Sequence, residues 1–385
     1  MKIRAAVLHE MGVSQPYGES QPLKIETLEL NPPGAGEVLV QIKAAGLCHS
    51  DLSVIDGSRP RPTPMALGHE AAGVVVETGG GVDDLVPGDH VVFVFVPSCG
   101  HCEPCATGRP ALCEPAAAAN AAGTLMSGAR RLHLDGVAVN HHMGVSAFAE
   151  HAVVSRHSMV KIGRELPFEI AALFGCAVIT GVGAVVNTSR VTPGSTVAVI
   201  GLGGVGLNAV LGAKLAGARQ VVAIDLRDEK LTLAKDLGAS DVFNAGDADC
   251  AERVRAATAG GVDYAFEMAG SLAALEMAWV VTRRGGETVT AGLPHPDTRL
   301  AVPPVALVAE ERTLRGSYLG SCVPVRDIPH FIDLYRAGKL PVDKLMSDTV
   351  GFDGLNTAFD KLAAGETARI VLTPWSRPMS PGMPP

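Results

Sequence analysis

Thr196-Val-Ala-Val-Ile-Gly-Leu-Gly-Gly-Val-Gly206 is the stretch on which the fold turns. Val197–Ile200 is a short β-branched apolar run, the signature of a strand buried on both faces. It opens directly onto glycines at 201, 203 and 206 and then onto a helical pattern, Val205–Ala216. In such a strand–turn–helix, Gly201 permits the tight turn and Gly203 lets the backbone approach a pyrophosphate. Gly206 lets helix and strand pack closely. Gly204 belongs to the same turn and Val205 begins the helix, whose unpaired N–H groups and positive dipole end suit phosphates. Asp225 closes the next strand, Val221–Ile224, 19 residues beyond Gly206, where a carboxylate can accept both ribose hydroxyls. An acid there repels a 2′-phosphate, so NAD is favoured over NADP. Arg227, two residues on, is the one feature that opposes this.

Downstream the same texture repeats. Asp241–Phe243, Asp263–Glu267 and Thr288–Ala291 read as strands, alternating with helical patterns at Glu229–Leu237, Ala251–Ala257 and Leu272–Val281. The alternation predicts a doubly wound parallel sheet, hence an α/β fold. Upstream, Val38–Lys43, Ala72–Glu77 and His90–Val96 are β-branched runs separated by Pro/Gly turns, which predicts a β-rich region. Glu114 to Gly144, rich in Ala and Gly, reads as a long surface loop, and the tail from Trp375 as disordered.

The chain has 385 residues, 47% hydrophobic and 19% charged, enough for two domains with sizeable cores. Net charge is −8 and there is no basic block, which argues against nucleic acid or an anionic membrane as partner. Ile170–Ser189 and Val191–Ala213 lack charged residues, but each carries glycines, and neither reads as a continuous apolar helix of membrane-spanning length. Behind Lys2 and Arg4 only Ala5–Leu8 is apolar, too short for a signal-peptide core, so a cytoplasmic location is expected. Eight cysteines in a reducing compartment then point to metal rather than disulfides.

Cys99, Cys102, Cys105 and Cys113 fall within one short segment with intervening glycines and prolines. Four thiolates with no open position suit a closed, structural zinc site. An iron–sulfur cluster is the competing reading, but the last gap is seven residues and Cys113 is followed by Glu114 rather than proline. His101 lies inside the run as a bystander. A second set is dispersed: Cys48-His49-Ser50-Asp51, Gly68-His69-Glu70, and Cys176. Two cysteines and one histidine are a ligand set for catalytic zinc, but spacing alone does not join them.

Taken together, Gly-Leu-Cys-His-Ser-Asp at 46–51, Gly-His-Glu at 68–70, the four-cysteine run, the glycine turn and Ala-Arg-Ile-Val-Leu at 368–372 resemble the zinc-dependent medium-chain alcohol dehydrogenases. The resemblance covers nearly the whole chain and is similar to the liver-type and aryl-alcohol subgroup. It implies a GroES-like catalytic domain over 1–178 with a structural zinc lobe at 97–115, a Rossmann domain over 179–318, and a return to the catalytic domain over 319–385. It further implies NAD, two Zn2+ per chain, a small alcohol or aldehyde substrate and a homodimer. Carried over by position, Cys48, His69 and Cys176 are the catalytic zinc ligands, and Glu70 is the carboxylate that can join them. Asp51 orients a ligand from behind. Thr180 and Val205 lie by the nicotinamide, His49 and Arg369 by the pyrophosphate, and Lys230 is a further cofactor-binding residue. Phe95, Leu112 and Met143 line the substrate pocket. Cys250 and Cys322 match no ligand position and read as buried thiols.

The chemistry so implied is reversible hydride transfer between a primary alcohol and NAD, zinc lowering the pKa of the alcohol. Ser50 resembles the hydroxyl that takes the alcohol proton; the histidine that continues the relay in many relatives is Ser53 here. The glutathione-dependent formaldehyde dehydrogenases are the nearest enzymatic alternative, and an NAD- and zinc-binding relative without turnover is the alternative from another class. Against the glutathione branch, its arginine four residues after the last lobe cysteine is Ala117 here, and its acid eleven residues after the first zinc cysteine is Arg59. Arg59 with Arg61 leaves room for a smaller anionic substrate.

Overall fold

The structure, a computed structural model, describes residues 1–375. Two compact units are present: Met1–Cys176 together with the described residues from Met346, and Ala177–Leu345. Residues 319–345, expected with the returning catalytic segment, fold with the second unit instead. The reason is packing: Cys322 Sγ lies 3.4 Å from Ile179 O, and Gly183 leaves the space that Cys322 fills.

In the second unit the strands Asp241–Asn244, Gln220–Asp225, Thr196–Ile200, Val262–Glu267, Thr282–Thr290 and Thr313–Gly316 form one sheet in that order. Every neighbouring pair is parallel. This is the doubly wound arrangement expected from the sequence: Val197, Ala198 and Val199 are fully buried because helices cover both faces. Strand order reverses beside Thr196–Ile200, so the glycine turn leaves the sheet at the crevice where such folds bind ligands.

The first unit contains a closed barrel of Lys2–Leu8, Leu23–Leu30, Leu132–Leu134, Val137–His141 and Met65–Ala66. A second sheet is built around Glu37–Gly46, which pairs with Glu70–Thr78, His151–Ser155 and Arg369–Leu372. At its end Gly46 faces Glu70 on one side and Val371 on the other, which draws three distant segments together.

Three further expectations are corrected. Residues 114–144 are not an irregular loop: Glu114–Ala122 is a helix, and Leu132–Leu134 and Val137–His141 form a hairpin that completes the barrel. The signals were present, a proline in the first helical turn, an alanine run, and Asp135-Gly136, both at positive φ, as the hairpin turn. Likewise Phe168–Thr188 is one continuous apolar helical stretch of 21 residues despite its glycines. It is long and apolar enough to cross a membrane, but 89% of its most apolar window is buried in the protein. The glycines provide close approach rather than breaks: a Cβ at 175 would collide with Phe93 O, at 181 with Val205 O, and at 183 with Cys322 Sγ. Trp375, placed in the disordered tail, is anchored by its indole N–H donating to Ile42 O at 2.7 Å; the rest of that tail lies outside the described residues.

Candidate metal centre and dinucleotide turn

Cys48 caps the helix His49–Ile55 just past the strand Glu37–Gly46, and His69 stands one residue before the strand Glu70–Thr78. Cys176 sits in a π-helical turn, Phe174–Val178, whose extra residue per turn re-aims its side chain. Ligand atoms of Cys48, His69, Glu70 and Cys176 all lie within 4.8 Å of one another, and all four residues are buried. Gly46 makes this possible, because a Cβ there would stand 2.5 Å from Glu70 Oε1.

Burial raises the Glu70 carboxyl to about 7, although the Arg369 guanidinium beside it works the other way. The Cys48 thiol is held well below its ordinary range, its sulfur accepting from Cys176. Burial disfavours charge on His69, yet the Asp51 carboxylate holds its imidazole well above the usual value. His69 Nε2 and both Glu70 oxygens are buried without a hydrogen-bond partner. Buried polar atoms left without partners at the meeting point of two sulfurs and an imidazole are what a zinc ion satisfies, so this donor set fits that metal.

The second cluster lies between Val96 and Glu114, with Cys99, Cys102, Cys105 and Cys113 ligand atoms also within 4.8 Å. Four sulfurs about 2.3 Å from a tetrahedral zinc stand about 3.8 Å apart, and Cys99 and Cys105 Sγ are 4.0 Å apart. Backbone N–H groups of Cys102 and Cys99 already donate to Cys99 Sγ and Cys113 Sγ, at 3.2 and 3.3 Å. The backbone N–H groups of His101 and Cys102 bring the Cys99 thiol down to about 6. The His101 ring itself bonds Cys99 O at 2.8 Å and is outside the cluster. All eight cysteines are free thiols, with Cys250 and Cys322 buried apart from both clusters.

Among the remaining site residues, Phe95 is buried with its ring edge-on to His69, centroids 5.3 Å apart. Met143 is half-buried at a left-handed turn, whereas Leu112 is 42% exposed. Arg369 is buried, donating from Nη1 to Leu47 O at 2.9 Å and standing 3.4 Å from Glu70 Oε2. Asp51 is fully buried and touches not one histidine but two, His69 and His142. Reading the sequence missed His142, since nothing local separates it from its neighbour His141.

Comparison with known proteins follows the same lines. Residues 34–164 match the alcohol dehydrogenase GroES-like domain, and residues 204–337 the zinc-binding dehydrogenase domain. The chain is 35% identical to S-(hydroxymethyl)glutathione dehydrogenase of Paracoccus denitrificans, across 97% of this chain and all of that protein. Among solved structures it resembles an alcohol dehydrogenase zinc-binding domain protein from Burkholderia ambifaria, with TM-score 0.91 and 35% identity over 97% of this chain and 99% of that one. Benzyl alcohol dehydrogenase from Acinetobacter calcoaceticus follows, with TM-score 0.90 and 34% identity over the same shares. The chain belongs to the zinc-dependent medium-chain alcohol dehydrogenase family. It is therefore an oxidoreductase whose cofactors are zinc and a nicotinamide dinucleotide.

The glycine turn of the alcohol dehydrogenase has the geometry its three glycines suggest. Gly201 has φ +90°, a Cβ at 206 would collide with Gly201 O, and a Cβ at 203 would meet nothing within 4 Å. The turn is therefore tight, closely packed and open above Gly203. Asp225 Oδ2 accepts from Leu202 N at 2.6 Å and Oδ1 from Arg227 N at 3.0 Å, so the carboxylate is already fixed in place. Each oxygen keeps a lone pair for a ribose hydroxyl. Thr180 is buried in the helix Ile179–Gly183, next to Gly181, which lies against Val205 O, and Lys230 is half-buried on Asp228–Asp236. At the other end of the chemistry, Ser50 Oγ lies 3.9 Å from Cys48 Sγ. Ser53 donates its hydroxyl to His49 O at 2.7 Å, which commits its proton to the helix backbone.

Proposed function

We propose that this dehydrogenase oxidises primary apolar or aromatic alcohols with NAD, reversibly, and that Cys48, His69 and Cys176 are its catalytic zinc ligands with Glu70 as the reserve carboxylate. The observation that carries the reading is the buried cluster of two sulfurs, one imidazole and one carboxylate within 4.8 Å. Zinc held there supplies a Lewis acid that lowers the pKa of the substrate hydroxyl. Ser50, beside Cys48, accepts the hydroxyl proton as it releases its own to water; Asp51 holds the His69 ring in place; Phe95 gives the substrate an apolar wall against that ring. Asp225 receives the adenosine ribose, and the turn at 201–206 receives the pyrophosphate. Cys99, Cys102, Cys105 and Cys113 hold the second, structural zinc.

A glutathione adduct is the second reading, favoured by the Paracoccus relative. Against it, Ala117 is an exposed methyl where the glutathione branch has an arginine, and Arg59 stands where that branch has an acid. The deciding experiment measures kcat/KM from NADH absorbance for benzyl alcohol and hexanol against S-hydroxymethylglutathione, with ω-hydroxy acids alongside. Preference for the adduct overturns the reading; preference for ω-hydroxy acids that vanishes in Arg59→Ala assigns the pocket to small anions.

The assembly proposed is a homodimer in the cytoplasm. Thr313–Gly316 is an exposed edge strand of the parallel sheet; Leu314 within it and Val305 and Val308 shortly before it present apolar surface, Val308 80% exposed. An unpaired edge with apolar flanks is suited to pairing with a second copy. Solution mass of the parent and of Val308→Lys tests it, a dimer becoming a monomer.

A further inference from the structure

Asp51 has no contact with solvent, and three nitrogens converge on it. His69 Nδ1 lies 3.1 Å from Oδ2, while His142 Nδ1 and Gly68 N each lie 3.1 Å from Oδ1. The two rings stand edge-to-face, centroids 5.5 Å apart at 88°, and neither ring nitrogen is aligned for a full hydrogen bond. The carboxylate is thus strung between two imidazoles. His142 is itself fully buried and held by a turn: its N–H donates to Ser146 Oγ at 2.9 Å, and its carbonyl accepts from Val145 N and Ser146 N. Its far nitrogen, Nε2, is buried without a partner. A phenylalanine would fill the same space without leaving a nitrogen unsatisfied, so only Nδ1 gives a reason for histidine here.

We propose that His142 is a positioning residue for the metal-binding nitrogen of His69, acting through Asp51. This role rests on the reading of Cys48, His69 and Cys176 as zinc ligands. Gly68 N holds one oxygen of Asp51 from the backbone, and His142 Nδ1, just past the strand Val137–His141, stands 3.1 Å from the same oxygen. Together they fix the rotation of the carboxylate. That rotation places the other oxygen at His69 Nδ1, which keeps the proton there and turns Nε2 toward the two sulfurs. His142 touches neither the sulfurs nor Glu70 among the described contacts; its effect passes through one carboxylate.

Two substitutions separate this from a packing role. His142→Asn retains an N–H close to where Nδ1 stands but leaves much of the ring volume empty; His142→Phe retains the volume and loses the donor. Zinc retained per chain is measured after equilibration with graded chelator, and Co2+ is exchanged into the Cys48 site to record its visible spectrum. His142→Phe is expected to weaken zinc at that site about tenfold and to shift the Co2+ bands, with His142→Asn close to the parent. Zinc in the four-cysteine lobe is the internal control and stays put. His142→Gln, whose amide reaches past Asp51, is expected to follow His142→Phe and covers a failure of that variant to fold. Zinc affinity within twofold of the parent in His142→Phe and His142→Gln, or a greater loss in His142→Asn than in His142→Phe, overturns the proposal. A parent chain that holds zinc only in the four-cysteine lobe overturns the ligand reading beneath it as well.

Discussion

Replacing Asp225 tests a structural role and a cofactor role at once. Its two oxygens hold Leu202 N at 2.6 Å and Arg227 N at 3.0 Å, tying the glycine turn to the start of the next helix. Hydrogen bonds to a charged acceptor contribute about 1.5–3 kcal/mol each, and half-exposure places Asp225 at the low end. Asp225→Gly removes both acceptors and adds backbone freedom, a cost of about 3 kcal/mol. For a unit of this size that lowers Tm by roughly 6–12 °C in the absence of cofactor. Asp225→Asn keeps one oxygen for Leu202 N and loses the charge, so its Tm falls by only about 2–4 °C. Both variants lose the charged partner of the ribose hydroxyls, another about 3 kcal/mol, so kcat/KM for NAD falls about 100-fold. With repulsion of the 2′-phosphate gone, NADP gains relative to NAD. Differential scanning fluorimetry and initial rates with each dinucleotide decide the matter. Asp225→Gly with unchanged Tm and NAD kinetics would refute both roles, and a parent that uses both cofactors equally would show that Arg227 outweighs Asp225.

Elemental analysis of the parent is expected to give two zincs per chain. Cys48→Ser loses one with the fold retained, whereas Cys102→Ser loses the other and lowers Tm; iron in the lobe, or a single metal with all ligands intact, contradicts the assignment. His141 is buried, which drives its imidazole down to about 4 from an ordinary 6.5. The unfolded chain binds that proton first, so stability is full above about pH 6.5 and is lost as pH falls toward 4, by up to about 3 kcal/mol. Denaturant midpoints of His141→Asn across that window should show a shallower pH slope than the parent; parallel slopes exclude the effect. Ser53→His places a titratable group one helical turn beyond His49, and is expected to raise kcat most below neutral pH, where proton removal limits the rate. An identical pH–rate profile would count against a relay through that position.

The sequence by itself determined the parallel sheet of the second unit and the glycine turn that leaves it. Strand, glycine turn, helix and acid are contiguous there, and a buried parallel strand writes its environment into a run such as Val197–Ile200, so local pattern and tertiary role coincide. The four-cysteine lobe was legible for the same reason: its ligands come from one short segment. Where the sequence misled, a local signal was outweighed by packing. Glycines at 175, 181 and 183 resemble helix breaks, yet each marks a place where another backbone or sulfur comes too close for a Cβ. Only the tertiary structure decided the buried cluster of Cys48, His69, Glu70 and Cys176. Cys48, His69, Cys176 and Arg369 are far apart in the chain, and they meet because Gly46 is paired on both sides, with Glu70 and Val371, and has no side chain to keep Glu70 out. His142 belongs to the same class. No periodicity announces it, and its partner Asp51 is reached only because the barrel hairpin ending at His141 closes beside the segment that carries His69. Chain-local chemistry can be read from spacing, but a carboxylate shared between two remote histidines is fixed only by how a helix, a turn and distant strands pack together.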